Sequence, residues 1–193
     1  MEIEDRDKMA IKIIKLKNII KNYIKYPTFI GIFLSIILVT QYYIGHDLHE
    51  RRFIGTQVRV IDGDTIVLSE LRIRLQGIDS PELTQECRDK KSMKLYKCGE
   101  VAKEYLIRLI GKNEVACTDE GIDKYRRQLA YCYVGDINLN REMVKTGNAL
   151  AYSKYDLYFM KEELQARWNK VGIWASEFGK PEVFRKNKRN SIK

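Results

Sequence analysis

The strongest constraint on this chain lies near its start. Residues 28–45, TFIGIFLSIILVTQYYIG, carry no charge. A run of that length cannot sit half-solvated like an ordinary amphipathic helix, and a spanning helix needs about 17–25 predominantly apolar residues. Tyr42 and Tyr43 stand where an interfacial aromatic pair belongs, with Tyr23 and Tyr26 at the other end. The chain is therefore expected to divide into a cytoplasmic basic segment (1–27), a transmembrane signal-anchor helix (28–45), a linker (46–55), a folded domain (56–176) and a basic C-terminal tail (177–193), frayed from Phe184 onward. Two other readings stand beside the anchor. A cleaved leader has an apolar core of about 7–15 residues and a small-x-small site, and Tyr43-Ile44-Gly45 places a large ring there. A buried core helix is the third reading. Arg6, Lys8, Lys12, Lys15, Lys17, Lys21 and Lys25 precede the run, whereas Arg51, Arg52 and Arg59 follow it. That bias keeps the N-terminus cytoplasmic and puts the folded domain outside, in the periplasm or extracellular space.

The 193 residues suit one domain with an appendage. The net charge of +9 favours polyanionic partners, nucleic acid or anionic lipid, unless the surplus is only a lysine-rich solvated surface. No protein partner is expected. The two histidines, His46 and His49, both precede the expected domain. Hydrolases that need an imidazole base are therefore disfavoured, and the chemistry falls to carboxylates, Arg, Lys, Tyr or a metal. His46-Asp47-Leu48-His49 could suggest a metal site, but two such residues in a juxtamembrane linker read as interfacial polar groups.

From Thr56 onward, Val58–Ile61 and Thr65–Leu68 read as strands joined by an Asp62-Gly63-Asp64 turn. Ser69-Glu70 suits a tight hairpin, and Leu71-Arg72-Ile73-Arg74-Leu75 alternates strictly, with both arginines on one face. Residues 99–110 have helical spacing stopped by Gly111. Residues 114–118 and 128–134 read as two more strands, and 139–146 and 159–169 as helices. The pattern predicts an α+β fold, a five-stranded OB-type β-barrel with three helices.

One group of side chains carries chemistry: Asp64 after a tight turn, Asp79 and Glu82 in one loop, Arg74 on the strand before it, and Arg127 in a later basic loop. Carboxylates at the ends of adjacent strands can converge on a hard cation such as calcium. Arginine forks suit phosphate oxygens.

Three blocks, Val60-Ile61-Asp62-Gly63-Asp64-Thr65, residues 74–82 (RLQGIDSPE) and residues 123–131 (DKYRRQLAY), resemble the signature blocks of the staphylococcal-nuclease family. Residues 140–149 (NREMVKTGNA) and Gly172-Ile173-Trp174 are similar to its later motifs, so the resemblance covers roughly 56–176. It implies a calcium-dependent nuclease acting on DNA and leaving 3′-phosphates, with RNA an open second substrate and endonucleolytic cleavage preferred over exonucleolytic without either being fixed. It also implies Asp64 and Asp79 as calcium ligands with the Ser80 carbonyl, Arg74 and Arg127 on the scissile phosphate, and Glu82 as general base. Lys124 and Tyr125 would then hold a terminal phosphate, and Tyr152 or Tyr155 the base. Two departures stand out: Arg126 replaces a residue commonly Gly, and the loop after Glu82 is rewritten, with Arg88, Lys90, Lys91, Lys94 and Lys97 between two cysteines. A binding module that does not cut, or a tethered scaffold, are the rival readings, and the intact set of acids and arginines weighs against both.

Cys87, Cys98, Cys117 and Cys132 make an even count, which outside the cytoplasm suggests disulfides in one of three pairings. Cys87–Cys98 would close the rewritten loop, and Cys117–Cys132 would link the strands flanking the Arg127 loop. Four reduced thiols are the alternative, and zinc is disfavoured because no C-x-x-C pair occurs.

Overall fold

The uncharged run folds as helix α1, Pro27–Asp47, 21 residues long and opening on a proline, whose fixed φ and missing N–H suit a first helical position. The computed structural model describes residues 15, 17, 21, 27–47, 52–152 and 157–191. It divides into two units, Met1–Glu50 and Arg51–Lys193. In the first unit the described side chains of α1 are exposed, Phe33 and Leu38 among them. Among the described residues no helix is long and apolar enough to cross a membrane. His49, Arg51, Tyr23 and Tyr26, on which the orientation argument drew, lie outside the described residues, as does the His46 side chain.

The second unit begins with strand β1 (Arg52–Gly55), inside the stretch expected to be a linker. The expected meander follows as β2 (Val58–Asp62), β3 (Thr65–Leu68) and β4 (Leu71–Leu75), with Thr65 opposite Arg74. Ser69 takes a φ of 55°, as a two-residue hairpin turn requires. After β5 (Ile78–Asp79), β6 (Glu86–Asp89) and β7 (Leu95–Lys97) come helix α2 (Cys98–Ile110) and the long pair β8 (Val115–Ile122) and β9 (Gln128–Val134). Then follow β10 (Ile137–Asn138), α3 (Leu139–Lys145), β11 (Leu150–Ala151), α4 (Met160–Trp168), β12 (Ser176–Glu177) and α5 (Pro181–Ser191).

Seven strands form the main sheet in the order β1-β8-β9-β4-β3-β2, with β10 on β9. The closed five-stranded barrel does not form. β1 and β2 are the two ends of that order, yet only Thr56 and Gln57 separate them in sequence. The sheet must therefore curl until its edges meet, and a Cβ on Gly55 would lie 3.3 Å from Leu68, but no β1–β2 ladder closes it. The short pair β5–β11 and the three-stranded sheet β12-β6-β7 were not foreseen.

Alternation on the strands sends Ile66, Leu68, Ile73 and Leu75 into one core, against which α2 buries Ala102, Leu106 and Ile110. Truncating Leu106 to Ala there should cost about 2–5 kcal/mol, because so packed a site relaxes only partly. Gly111 ends α2 at a φ of 59°, and the Asn138 side chain caps α3 by accepting from the Arg141 N–H. Cys117 and Cys132, opposite each other on β8 and β9, are bridged, and Cys87–Cys98 ties β6 to the first residue of α2.

Candidate active site

The Asp62-Gly63-Asp64 turn delivers Asp64 because residue 63 has no side chain. A Cβ on Gly63 would lie 2.0 Å from Ser80 Oγ, so only glycine lets this turn rest on the loop after β5. The close approach lets the Ser80 N–H donate to Asp64 Oδ2 at 2.9 Å, while Ser80 Oγ donates to the Asn148 carbonyl at 2.9 Å. Asp64 and Asp79 are both buried.

Arg74 lies between them. Its Nη1 is 2.7 Å from Asp64 Oδ2, its Nη2 is 3.6 Å from Asp79 Oδ1, and Nη2 also donates to the Ile78 carbonyl at 2.9 Å. The register explains the placement: Arg74 pairs with Thr65, next to Asp64, and the Asp64 carbonyl accepts from the Leu75 N–H at 2.8 Å. The arginine therefore faces the acids and not the core.

Glu82 is held by its backbone. Its N–H donates to Gln85 Oε1 at 3.3 Å, and a Cβ on Gly99 would lie 1.9 Å from its carbonyl oxygen, so the start of α2 packs directly on it. Its carboxylate accepts at 2.9 Å from Nη1 of Arg185, which reaches in from α5. Arg185 also forks onto Asp79, Nη1 to Oδ1 at 2.9 Å and Nη2 to Oδ2 at 3.1 Å.

Arg127 turns elsewhere. Its Nε and Nη2 reach Asp123 Oδ2 at 2.8 and 2.7 Å, while Asp123 Oδ1 accepts from the N–H groups of Tyr125 and Arg127. Parallel pairing of β4 with β9 sets Arg74 opposite Leu129, two residues after Arg127, so the two arginines leave adjacent strands. The Tyr125 ring lies 5.1 Å from Lys124 Nζ and 5.5 Å from Arg127 Cζ. Arg126, where a glycine is common, takes a φ of 61°, a conformation glycine adopts without strain. Tyr152 follows β11, and its N–H donates to the Gly77 carbonyl at 2.8 Å. Tyr155 lies outside the described residues.

A family model described as "Staphylococcal nuclease homologue" matches residues 72–176. This chain belongs to that family. A micrococcal nuclease of Shigella flexneri is 32% identical over 140 residues, 64% of this chain and 74% of that protein. Succinoglycan biosynthesis protein ExoI of Rhizobium meliloti is 31% identical over 152 residues, 77% of this chain and 76% of that one. An uncharacterized endonuclease of Haemophilus influenzae is 32% identical over 125 residues, covering 61% of this chain and 64% of that protein, just under two thirds of its length.

Within this staphylococcal-nuclease homologue the acids crowd one another. Burial, then the charge of Asp64, pushes Asp62 up to about 6. Burial also raises Asp79, against the pull of Arg185 and Arg74. Asp123 behaves in the opposite way: burial works against its charge, but hydrogen bonds from Arg127 and Tyr125 overcome it and hold the carboxyl below its ordinary value. Hard carboxylate oxygens in surplus suit a hard divalent cation such as calcium. Among the described residues, however, no group of three or more His, Cys, Asp or Glu is arranged to hold a metal. A cation here would rest on the two carboxylates of Asp64 and Asp79, with carbonyl and water oxygens completing the set. Glu82 is turned to Arg185 instead.

Sequence reasoning missed Arg185 and Gln85. Arg185 fell in a tail expected to be frayed, although Pro181 opens α5, Glu182 lies in its first turn and Lys188 and Arg189 in its last, the usual marks of a capped helix. Gln85 carries no such signal; a glutamine in a polar loop announces nothing until the loop folds.

Proposed function

We propose that this family member is a calcium-dependent nuclease that hydrolyses phosphodiester bonds of DNA, cutting internally and leaving 3′-phosphates. The observation that supports the reading most is Arg74 set between Asp64 and Asp79, in a chain of the staphylococcal-nuclease family whose relatives include a micrococcal nuclease. In this reading Asp64 and Asp79, with the Ser80 carbonyl, hold the cation, which when bound supplies positive charge to the phosphoryl oxygens. Arg74 and Arg127 offer guanidinium forks to the same phosphate, Arg127 after exchanging Asp123 for it. Glu82 accepts a proton from the attacking water as its oxygen bonds to phosphorus and the P–O5′ bond breaks, the departing 5′ oxygen taking a proton from solvent. Lys124 and Tyr125 take a terminal phosphate, and Tyr152 takes the base.

The test uses the full chain, oxidised, with labelled single-stranded DNA and with RNA as the comparison. Cleavage in calcium should vanish with chelator and fall on the order of 10²-fold in Arg127→Ala, as when an oxyanion donor is deleted. Tight binding without cleavage would instead make this a nucleic-acid-binding module, and an absence of both would leave a scaffold.

A second part of the proposal is a membrane tether through residues 28–45, with the nuclease unit outside the cytoplasmic membrane. Its support is the sequence alone, the uncharged run and the cations before it, since among the described residues no helix is long and apolar enough to cross a membrane. Alkaline extraction should leave the chain in the membrane pellet, and protease added to spheroplasts should digest the nuclease unit. Release into the supernatant would refute the tether.

A further inference from the structure

Arg185 lies beyond the end of the family match at residue 176, yet it touches two of the acids. We infer that Arg185 is a positioning residue of the site: its guanidinium joins Asp79 to Glu82 and sets the direction of the Glu82 carboxylate. The inference rests on the reading of Glu82 as the group that takes the proton of the attacking water.

Four observations carry it. The first is the contact itself, a fork that uses one nitrogen for both residues and the other for the second Asp79 oxygen, which fixes position as a point charge could not. The second is burial: the Asp79 side chain that the fork engages is only 7% exposed, so its charge is met by the two guanidinium groups beside it and hardly by water.

The third is the path by which α5 reaches the acids. β12 pairs with β6, Ser176 opposite Asp89 and Glu177 opposite Arg88, and the Tyr96 hydroxyl lies 2.9 Å from Ser176 Oγ. The rewritten loop, closed by Cys87–Cys98, is thus the platform on which the C-terminal segment docks. The fourth is Gln85, 1% exposed, whose side chain joins the two halves. Its Oε1 accepts from the Glu82 N–H at 3.3 Å, and its Nε2 donates to the Gly179 carbonyl at 2.6 Å. One side chain therefore ties the Glu82 backbone to the segment that launches α5, and Arg185 ties the Glu82 carboxylate to the same helix. Arg74 meets Asp64 and Asp79, and Arg185 meets Asp79 and Glu82, so the two guanidinium groups share Asp79.

The alternative is that Arg185 merely plugs the site and leaves when a cation arrives. Hydrogen exchange of the full chain, followed by mass spectrometry over residues 181–191, separates the two without reference to activity. Protection should be present in wild type, equal or greater in calcium, and lost in Arg185→Met and in Glu82→Gln. Exchange in calcium as fast as in Arg185→Met would mean displacement and overturn the inference. Kinetics give the second readout. Arg185→Met should lower kcat tenfold or more with KM for DNA little changed, and methylguanidinium should restore part of the rate to Arg185→Ala, whose side chain is 34% exposed and so leaves an opening. A kcat at or above wild type in Arg185→Met would overturn it too. Should wild type cut nothing in any divalent ion, the nuclease reading fails, while the exchange experiment still decides whether Arg185 stays on the acids.

Discussion

Two arginine environments in this molecule are built in opposite ways. The Arg127 loop is local: Asp123 clasps Arg127 four residues on, and the same carboxylate accepts from two loop N–H groups. The acid cluster is assembled from afar. Asp64 comes from a hairpin turn, Arg74 and Asp79 from two strands, and Arg185 from the last helix. The loop pairs Asp123 with Arg127 and keeps Lys124 and Arg126 as surplus positive charge. The cluster sets the carboxylates of Asp64, Asp79 and Glu82 against the two guanidinium groups of Arg74 and Arg185, and burial raises the Asp79 carboxyl. One region is poised to give up a partner, the other to gain one.

The comparison can be broken most severely at the cluster. Asp79→Asn or Arg74→Ala should cost on the order of 10²–10³-fold in kcat in a DNA cleavage assay, since charge meeting the phosphoryl oxygens is lost. Wild-type activity in either variant would detach the cluster from the chemistry. The loop should matter less. Asp123→Ala removes the clasp but not Arg127, and should lower kcat/KM about tenfold, the equivalent of one charge-assisted hydrogen bond of roughly 1.5 kcal/mol.

A smaller effect lies beside it. Arg126 holds a left-handed φ of 61°, so Arg126→Gly should raise stability by about 1 kcal/mol in chemical denaturation; destabilisation would mean that the side chain makes a contact outweighing the strain. The gentlest probe is titration in chelator by carboxyl NMR. Asp79 should protonate above the ordinary value of 3.8 and Asp123 below it. In terms of linkage, the folded Asp79 binds its proton more tightly than the unfolded chain does, so its contribution to stability declines as pH rises through 3.8 toward the folded value. Asp123 contributes stability above 3.8 that is lost as pH falls through its lower folded value. The cluster should therefore change protonation before the loop does on acidification, and a reversed order would erase the contrast.

Local pattern revealed the meander and α2, because the two-residue alternation of 71–75 and the helical spacing of 99–110 are properties of single segments. The motif blocks likewise named Asp64, Arg74, Asp79 and Glu82. What the sequence could not show was set by pairing at a distance. Nothing local says that β6, β7 and β12 form a sheet, that a curled sheet stops short of closing, or that Asp123 engages Arg127. Arg185 was hidden for the same reason: a basic helix at a chain end reads as solvated until Gln85 and β12 bring it over the acids.

Asp64 and Asp79 are proposed to hold one cation, at a site distinct from the Arg127 loop. Calorimetric titration of calcium into the full chain tests it most directly. A single saturable site should appear in wild type, persist in Asp123→Asn, and disappear in Asp64→Asn and in Asp79→Asn. Binding that survives both of the last two substitutions unchanged would contradict the account.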